Sequence, residues 1–160
     1  MNQRLLGIYL NDHLAGAVVG VELARRALGN NRGTKYEAHL TRLAREIDED
    51  RATLEALMER LRIARSPIKA RLGWALEKVS RLKPNGRLFE YSPLSRVVEL
   101  EVLGSGVETK RALWIALRPL AQEGVDLGVD LEELIARARR QRRVIERRRT
   151  EAAAEAFGSP

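Results

Sequence analysis

The side chains best suited to chemistry in this sequence are two histidines and a few scattered carboxylates. His13, Glu46, Asp50 and Glu101 are the candidate ligands for a metal ion, through imidazole nitrogen and carboxylate oxygen. Asp50 stands out for a second reason. Tyr36, Leu40, Leu43, Ile47, Asp50, Leu54, Leu57 and Leu61 step by four and three, a heptad seam on one long helix, and only Asp50 is polar. A lone carboxylate in an apolar seam must find a partner or stay largely protonated. His13 is the first candidate partner and Arg96 the second, so His13, Asp50 and Arg96 form the expected polar core layer. Such a layer would fix helix register, or with open ligand positions it would bind a metal or a small molecule. The absence of cysteine excludes disulfides, zinc ribbons and thiolate chemistry. Gly104-Ser105-Gly106 lacks the preceding strand and the lysine of a phosphate loop.

The elements that must position these residues are all helices. Leu10, Leu14, Ala17, Val21, Ala24 and Leu28 predict a first helix over 3–28, stopped by Gly29-Asn30-Asn31. Gly16 and Gly20 leave a smooth strip on it, where a neighbouring helix is expected to come close. Thr34 and Glu37 form a capping box that opens the second helix. With the loop centred near residue 31, antiparallel neighbours in this hairpin have numbers summing to about 62 or 63, which brings His13 level with Asp50. Ser66-Pro67 opens a third helix, closed by Lys83-Pro84-Asn85-Gly86. Ser92-Pro93 opens a fourth, running to about Arg118. Its stripe of Leu100, Leu103, Val107, Trp114 and Leu117 is extended backward by Arg96 and interrupted by Lys110, and Gly104-Ser105-Gly106 is a place for a kink. Glu99, Glu101 and Glu108 read as its solvated face. Asp130 caps a fifth helix that ends near Phe157.

The predicted fold is all-α: an up-down-up-down four-helix bundle in residues 1–121, then a loop and an Arg-rich C-terminal helix in 122–160, packed on the bundle or projecting from it. Over residues 3–118 this architecture resembles the ferritin-like four-helix bundles. In that family two helices each give a Glu and two others each give Glu-x-x-His around two metal ions. Here Leu10 stands three before His13 and Tyr36 three before His39, so the motif is absent. The resemblance therefore implies the fold, with no di-iron centre and no cofactor.

The formal charge of +7 is concentrated in one place. Arg137, Arg139, Arg140, Arg142, Arg143, Arg147, Arg148 and Arg149, set against Glu146 alone, account for all of it. Arg137, Arg140, Arg143, Arg147 and Arg148 are the expected basic surface. It would neutralise phosphates without sequence preference, but no aromatic side chain is interleaved to stack on bases. Leu131, Leu134, Ile135, Ala138, Val144 and Ile145 offer the same helix a docking stripe, which favours a structural role. Asn11, Asp12 and His13 interrupt the apolar start before a secretory core forms, and the run Ala15–Val21 is too short to cross a membrane, so a cytoplasmic location is expected. The function expected on these grounds is a non-enzymatic helical bundle acting through protein contacts, with a protein partner or a second copy of itself. The alternatives are a metal- or small-ligand-binding bundle that uses the His13/Asp50 layer, and nonspecific nucleic-acid binding through the arginine helix.

Overall fold

In the computed structural model, which describes residues 2–66 and 91–158, every regular element is a helix. Four are long: α1 (Gln3–Asn30), α2 (Glu37–Arg60), α3 (Pro93–Ala116) and α5 (Leu131–Phe157); α4 (Arg118–Gln122) is a short turn of helix after α3. The predicted third helix and the turn after it lie outside the described residues.

Local chemistry sets the helix ends. The Asn2 side chain accepts the Leu5 N–H at 3.1 Å to cap α1, and Asp130 accepts that of Glu133 at 3.0 Å to cap α5. Ser92 and Ser95 cap α3 reciprocally, with Pro93 at the first helical position. The expected Thr34–Glu37 box takes a different form. Thr34 Oγ1 accepts the Tyr36 N–H at 3.2 Å, while the Glu37 carboxylate reaches back to the Gly33 N–H at 2.8 Å. Gly33 sits at φ +73°, which glycine adopts without strain, and the whole connection from Asn31 to Tyr36 is drawn into the turn. α3 runs unbroken through Gly104-Ser105-Gly106.

The longer turn moves the hairpin register. With helix ends at Asn30 and Glu37, facing residues of α1 and α2 have numbers summing to about 67, and Gly20 accordingly meets the Ile47 side chain. Relative to the sequence reading this is a slip of four to five residues, about one helical turn. Asp50 comes level with Ala17, and His13 with Leu54.

α3 and α5 form the second antiparallel pair, with the most extensive contact among the described helices. Arg96 meets Glu155 at 2.9 Å and Lys110 meets Gln141 at 2.7 Å down its length, and Arg118 of α4 meets Glu132 at 2.6 Å just past its end. The arginine helix is therefore docked, burying Leu131, Leu134, Ile135, Ala138, Ile145 and Ala152. The C-terminal end of α1 meets the start of α3, through Arg26 and Asn30 on Glu99. α2 and α3 consequently point the same way, as the second and fourth helices of the predicted bundle do; the predicted third helix between them lies outside the described residues. The described chain leaves α2 beside Asn11, which bonds Ala64 and Ser66, and resumes at Tyr91 beside Asn31, near the opposite end of α1.

Two apolar clusters fill the core. One joins Val21, Ala24, Leu40, Leu43, Leu100 and Leu103 to Ile145; the other joins Leu10, Leu14, Leu54, Leu57, Leu113 and Trp114 to Leu134. Each buried leucine side chain contributes about 1.5–3 kcal/mol. The level between the clusters is where the polar residues gather.

Candidate functional site

The layer between the clusters is built from one seam position on each of three helices. Asp50 falls between Ile47 and Leu54 on α2, Lys110 between Val107 and Leu113 on α3, and Gln141 between Ala138 and Ile145 on α5. All three meet. Lys110 Nζ donates to Asp50 Oδ2 and, at 2.7 Å, to Gln141 Oε1. Arg137, one turn before Gln141, places Nη2 2.5 Å from Asp50 Oδ1 and Nη1 3.0 Å from Glu49 Oε2. Gln141 Nε2 donates to Glu46 Oε2 at 2.9 Å and more weakly to Asp50 Oδ2 at 3.4 Å.

Asp50 is thus paired with two cations and an amide, and not with His13 or Arg96. This satisfies the requirement that a buried carboxylate be charge-compensated and hydrogen-bonded. Burial pushes the pKa of the Lys110 ammonium down, and the adjacent Asp50 carboxylate works in the opposite direction.

The fourth helix gives nothing polar to this layer. At the level of Asp50, α1 carries Gly16, Ala17 and Gly20. The expected close approach to that glycine strip is absent among the described residues. A Cβ on Gly16 would touch nothing within 4 Å, and one on Gly20 would touch only Ile47 at 3.9 Å. Among the described residues a cavity of about 540 Å³ borders that strip, bounded by α1, α2 and α3. Ala17, Val19, Leu23, Ile47, Leu54, Val102 and Val107 supply apolar wall, and Asp50 and Lys110 mark its polar side.

Two further side chains line the cavity. His13 is half-buried, with its ring edge-on to Tyr9 at 4.5 Å between centroids. Burial lowers its pKa and the neighbouring Asp12 carboxylate opposes the shift. Trp114 is 1 % exposed, and its indole N–H has no acceptor among the described residues.

The remaining predicted site residues lie elsewhere. Arg96 belongs to a second polar cluster at the far end of α1, where its Nε donates to Asn31 Oδ1 at 2.6 Å and its guanidinium lies 4.5 Å from the Tyr36 ring centre. Glu46 reaches the layer through Gln141, but Glu101 is exposed and pairs with Arg149 at 3.3 Å. Among the described residues no three His, Asp or Glu side chains gather to hold a metal ion. The slipped register moves His13 away from Asp50, and outward-facing Glu101 is on the wrong side of its helix.

The basic surface also differs from expectation. Arg137 is turned inward to Asp50, Arg148 pairs with Glu151 at 2.7 Å and Arg140 with Glu133 at 2.7 Å. Arg143 and Arg147 are exposed with no ion-pair partner among the described residues, and so is Arg139. Glu99, read as solvated, is buried; Glu108 is exposed and paired to Arg111.

Lys110 and Gln141 were missed as partners of Asp50, although a signal for them exists. Each is the polar break in an apolar stripe, and in the α3–α5 hairpin their numbers sum to the same value, about 251, as Arg96 and Glu155 do. No protein-family model, curated protein or solved structure matches the chain.

Proposed function

We propose that the protein binds a small, mainly apolar molecule in the cavity beside the Asp50 layer, and that it binds without transforming it. The observation that carries this reading is the cavity itself, about 540 Å³ of space opened by Gly16, Ala17 and Gly20 opposite a completed ion network. Its volume falls in the range of small-molecule sites, which are apolar with a few placed polar groups. The half-buried His13 imidazole supplies one such group, beside Asp50 and Lys110. Binding rather than turnover fits the pairing, because Lys110, Asp50 and Gln141 spend their hydrogen bonds on one another.

The helix directions support a ferritin-like bundle as the setting. The antiparallel pairs α1–α2 and α3–α5 are compatible with the bundles of that family. On this reading Lys110 and Arg137 provide, in the bundle core, the positive charge that metal ions provide in that family. A protein-contact role has a separate observation behind it, the exposed Leu5 and Ile8 one turn apart on α1.

Titration with the apolar fluorophore N-phenyl-1-naphthylamine tests the reading. Wild type should bind one equivalent with enhanced emission. Gly20→Leu, which adds a side chain into the cavity, should weaken binding by about tenfold or more, as expected when a ligand's space is filled. Helix content by circular dichroism should not change. Binding that ignores the Gly20 substitution, or no stoichiometric binding by wild type, would defeat it.

A further inference from the structure

We propose that the outer ridge of α5, made of Arg139, Arg143 and Arg147 with Arg42 of α2 beside it, binds the phosphate backbone of duplex nucleic acid. This inference does not depend on the cavity. The opposite face of α5 is buried along α3, so the ridge is carried on a fixed, straight support. Five of the eight arginines in the segment are consumed by acids of this chain: Arg137, Arg140, Arg142, Arg148 and Arg149. The three that are not consumed stand four residues apart on the solvent side, at steps of about 6 Å along the helix. Arg42 likewise has no ion-pair partner among the described residues.

The grouping of α2 and α5 charges is visible at His39, which lies between them. Burial lowers its pKa, and Arg148, Arg147 and Arg42 all press in the same direction, with Glu46 opposing. Its Nε2 is buried without a partner among the described residues. Cations that outnumber the acids near them repel one another, and a polyanion relieves that repulsion.

The chemistry of the ridge selects among polyanions. Guanidinium groups in a regular row suit bidentate contact with phosphates. No aromatic side chain lies among them to stack on unpaired bases, which disfavours a single strand. The apolar face of α5 is already used in the core, which disfavours insertion into a lipid interface.

The test is fluorescence anisotropy of the full chain with a labelled duplex of about 20 base pairs and arbitrary sequence, from about 50 to 300 mM KCl. Three or four phosphate contacts should give a slope of about −2.7 to −3.6 in log K against log salt. Arg143→Gln with Arg147→Gln should make the slope shallower by about 1.8 and weaken binding by about tenfold or more at low salt. Arg118→Gln, which removes an arginine paired to Glu132 away from the ridge, should leave the slope unchanged. No binding at about 50 mM salt, or an unchanged slope in the double variant, would overturn the proposal. So would equal or tighter arginine-dependent binding to a single strand of the same length, to polyglutamate, or to phosphatidylserine vesicles.

Discussion

The core contains two polar layers, and α1 treats them differently. At one end Glu99 accepts from Arg26 and Asn30 of α1 and from the Tyr91 hydroxyl, at 3.3, 3.1 and 2.9 Å. Asn31, just past α1, donates to Tyr91 at 2.7 Å and accepts from Arg96. Burial, with Glu99 alongside, pushes the pKa of the Tyr91 phenol well up, so it stays a neutral donor. This layer is closed by side chains from α1. In the middle of the molecule α1 offers Gly16, Ala17 and Gly20, and the Asp50 layer is closed on two sides by α3 and α5 but borders open space on the third. The contrast is between a layer into which α1 sends polar side chains and one beside which, among the described residues, it presents glycine and alanine.

The largest effect expected from that contrast is on stability. Asp50→Ala leaves Lys110 and Arg137 facing each other around a missing carboxylate, and breaking such a buried pair costs about 3–5 kcal/mol. Glu99→Ala also removes a buried acceptor, but Arg26 is half-exposed and can be rehydrated, so the cost should be about 1–3 kcal/mol. Urea unfolding of both variants measures the difference. If Glu99→Ala costs as much as Asp50→Ala, the two layers are energetically alike and the distinction fails.

The part of this arrangement written in the sequence is the part fixed by periodicity. The seam through Asp50, the capping serine before Pro93 and the docking stripe of α5 are local patterns, and each appears where the spacing puts it. The partner of Asp50 was out of reach because it depends on a turn. A connection from Asn31 to Tyr36, centred about three residues later than residue 31, rotates His13 out of range by one helical turn. Glu99 looked solvated because its burial depends on what α1 and Tyr91 bring to it from outside its own helix. The cavity was least legible. A glycine pair fits a close helix crossing as well as a cavity wall, and the cavity itself depends on where α2 and α3 stand beside α1.

A second expectation sharpens the comparison by replacing charge instead of deleting it. Asp50→Leu combined with Lys110→Met substitutes apolar groups of similar size, and such exchanges of buried ion pairs are often neutral or stabilising. Arg137 keeps Glu49 at 3.0 Å and is partly solvated, so it is not stranded. The double variant should therefore recover most of what Asp50→Ala loses, and lie within about 2 kcal/mol of wild type. Thermal or urea unfolding reads this directly. A double variant as unstable as Asp50→Ala would show that the open layer holds the helices together through the charges themselves, beyond the need to compensate them.

The smallest effect concerns protons, and it distinguishes the layers through His13, which borders only the open one. Burial lowers the folded-state pKa of His13 below the ordinary imidazole value of 6.5. The unfolded chain then binds more protons between the two values. Stability is complete above about pH 6.5 and declines as the pH falls through the lowered folded-state pKa. His39 has a folded pKa lowered in the same way, by burial and by the arginines near it, so both residues contribute to the fall. Melting curves between about pH 8 and pH 5 should show the decline, and His13→Gln should reduce it without abolishing it. Gly20→Leu should have the opposite effect. Filling the cavity strips the imidazole of remaining hydration, lowers its pKa further and makes the acid loss steeper. If the slope is the same with the cavity open or filled, His13 does not sense that space, and the open layer is smaller than its geometry indicates.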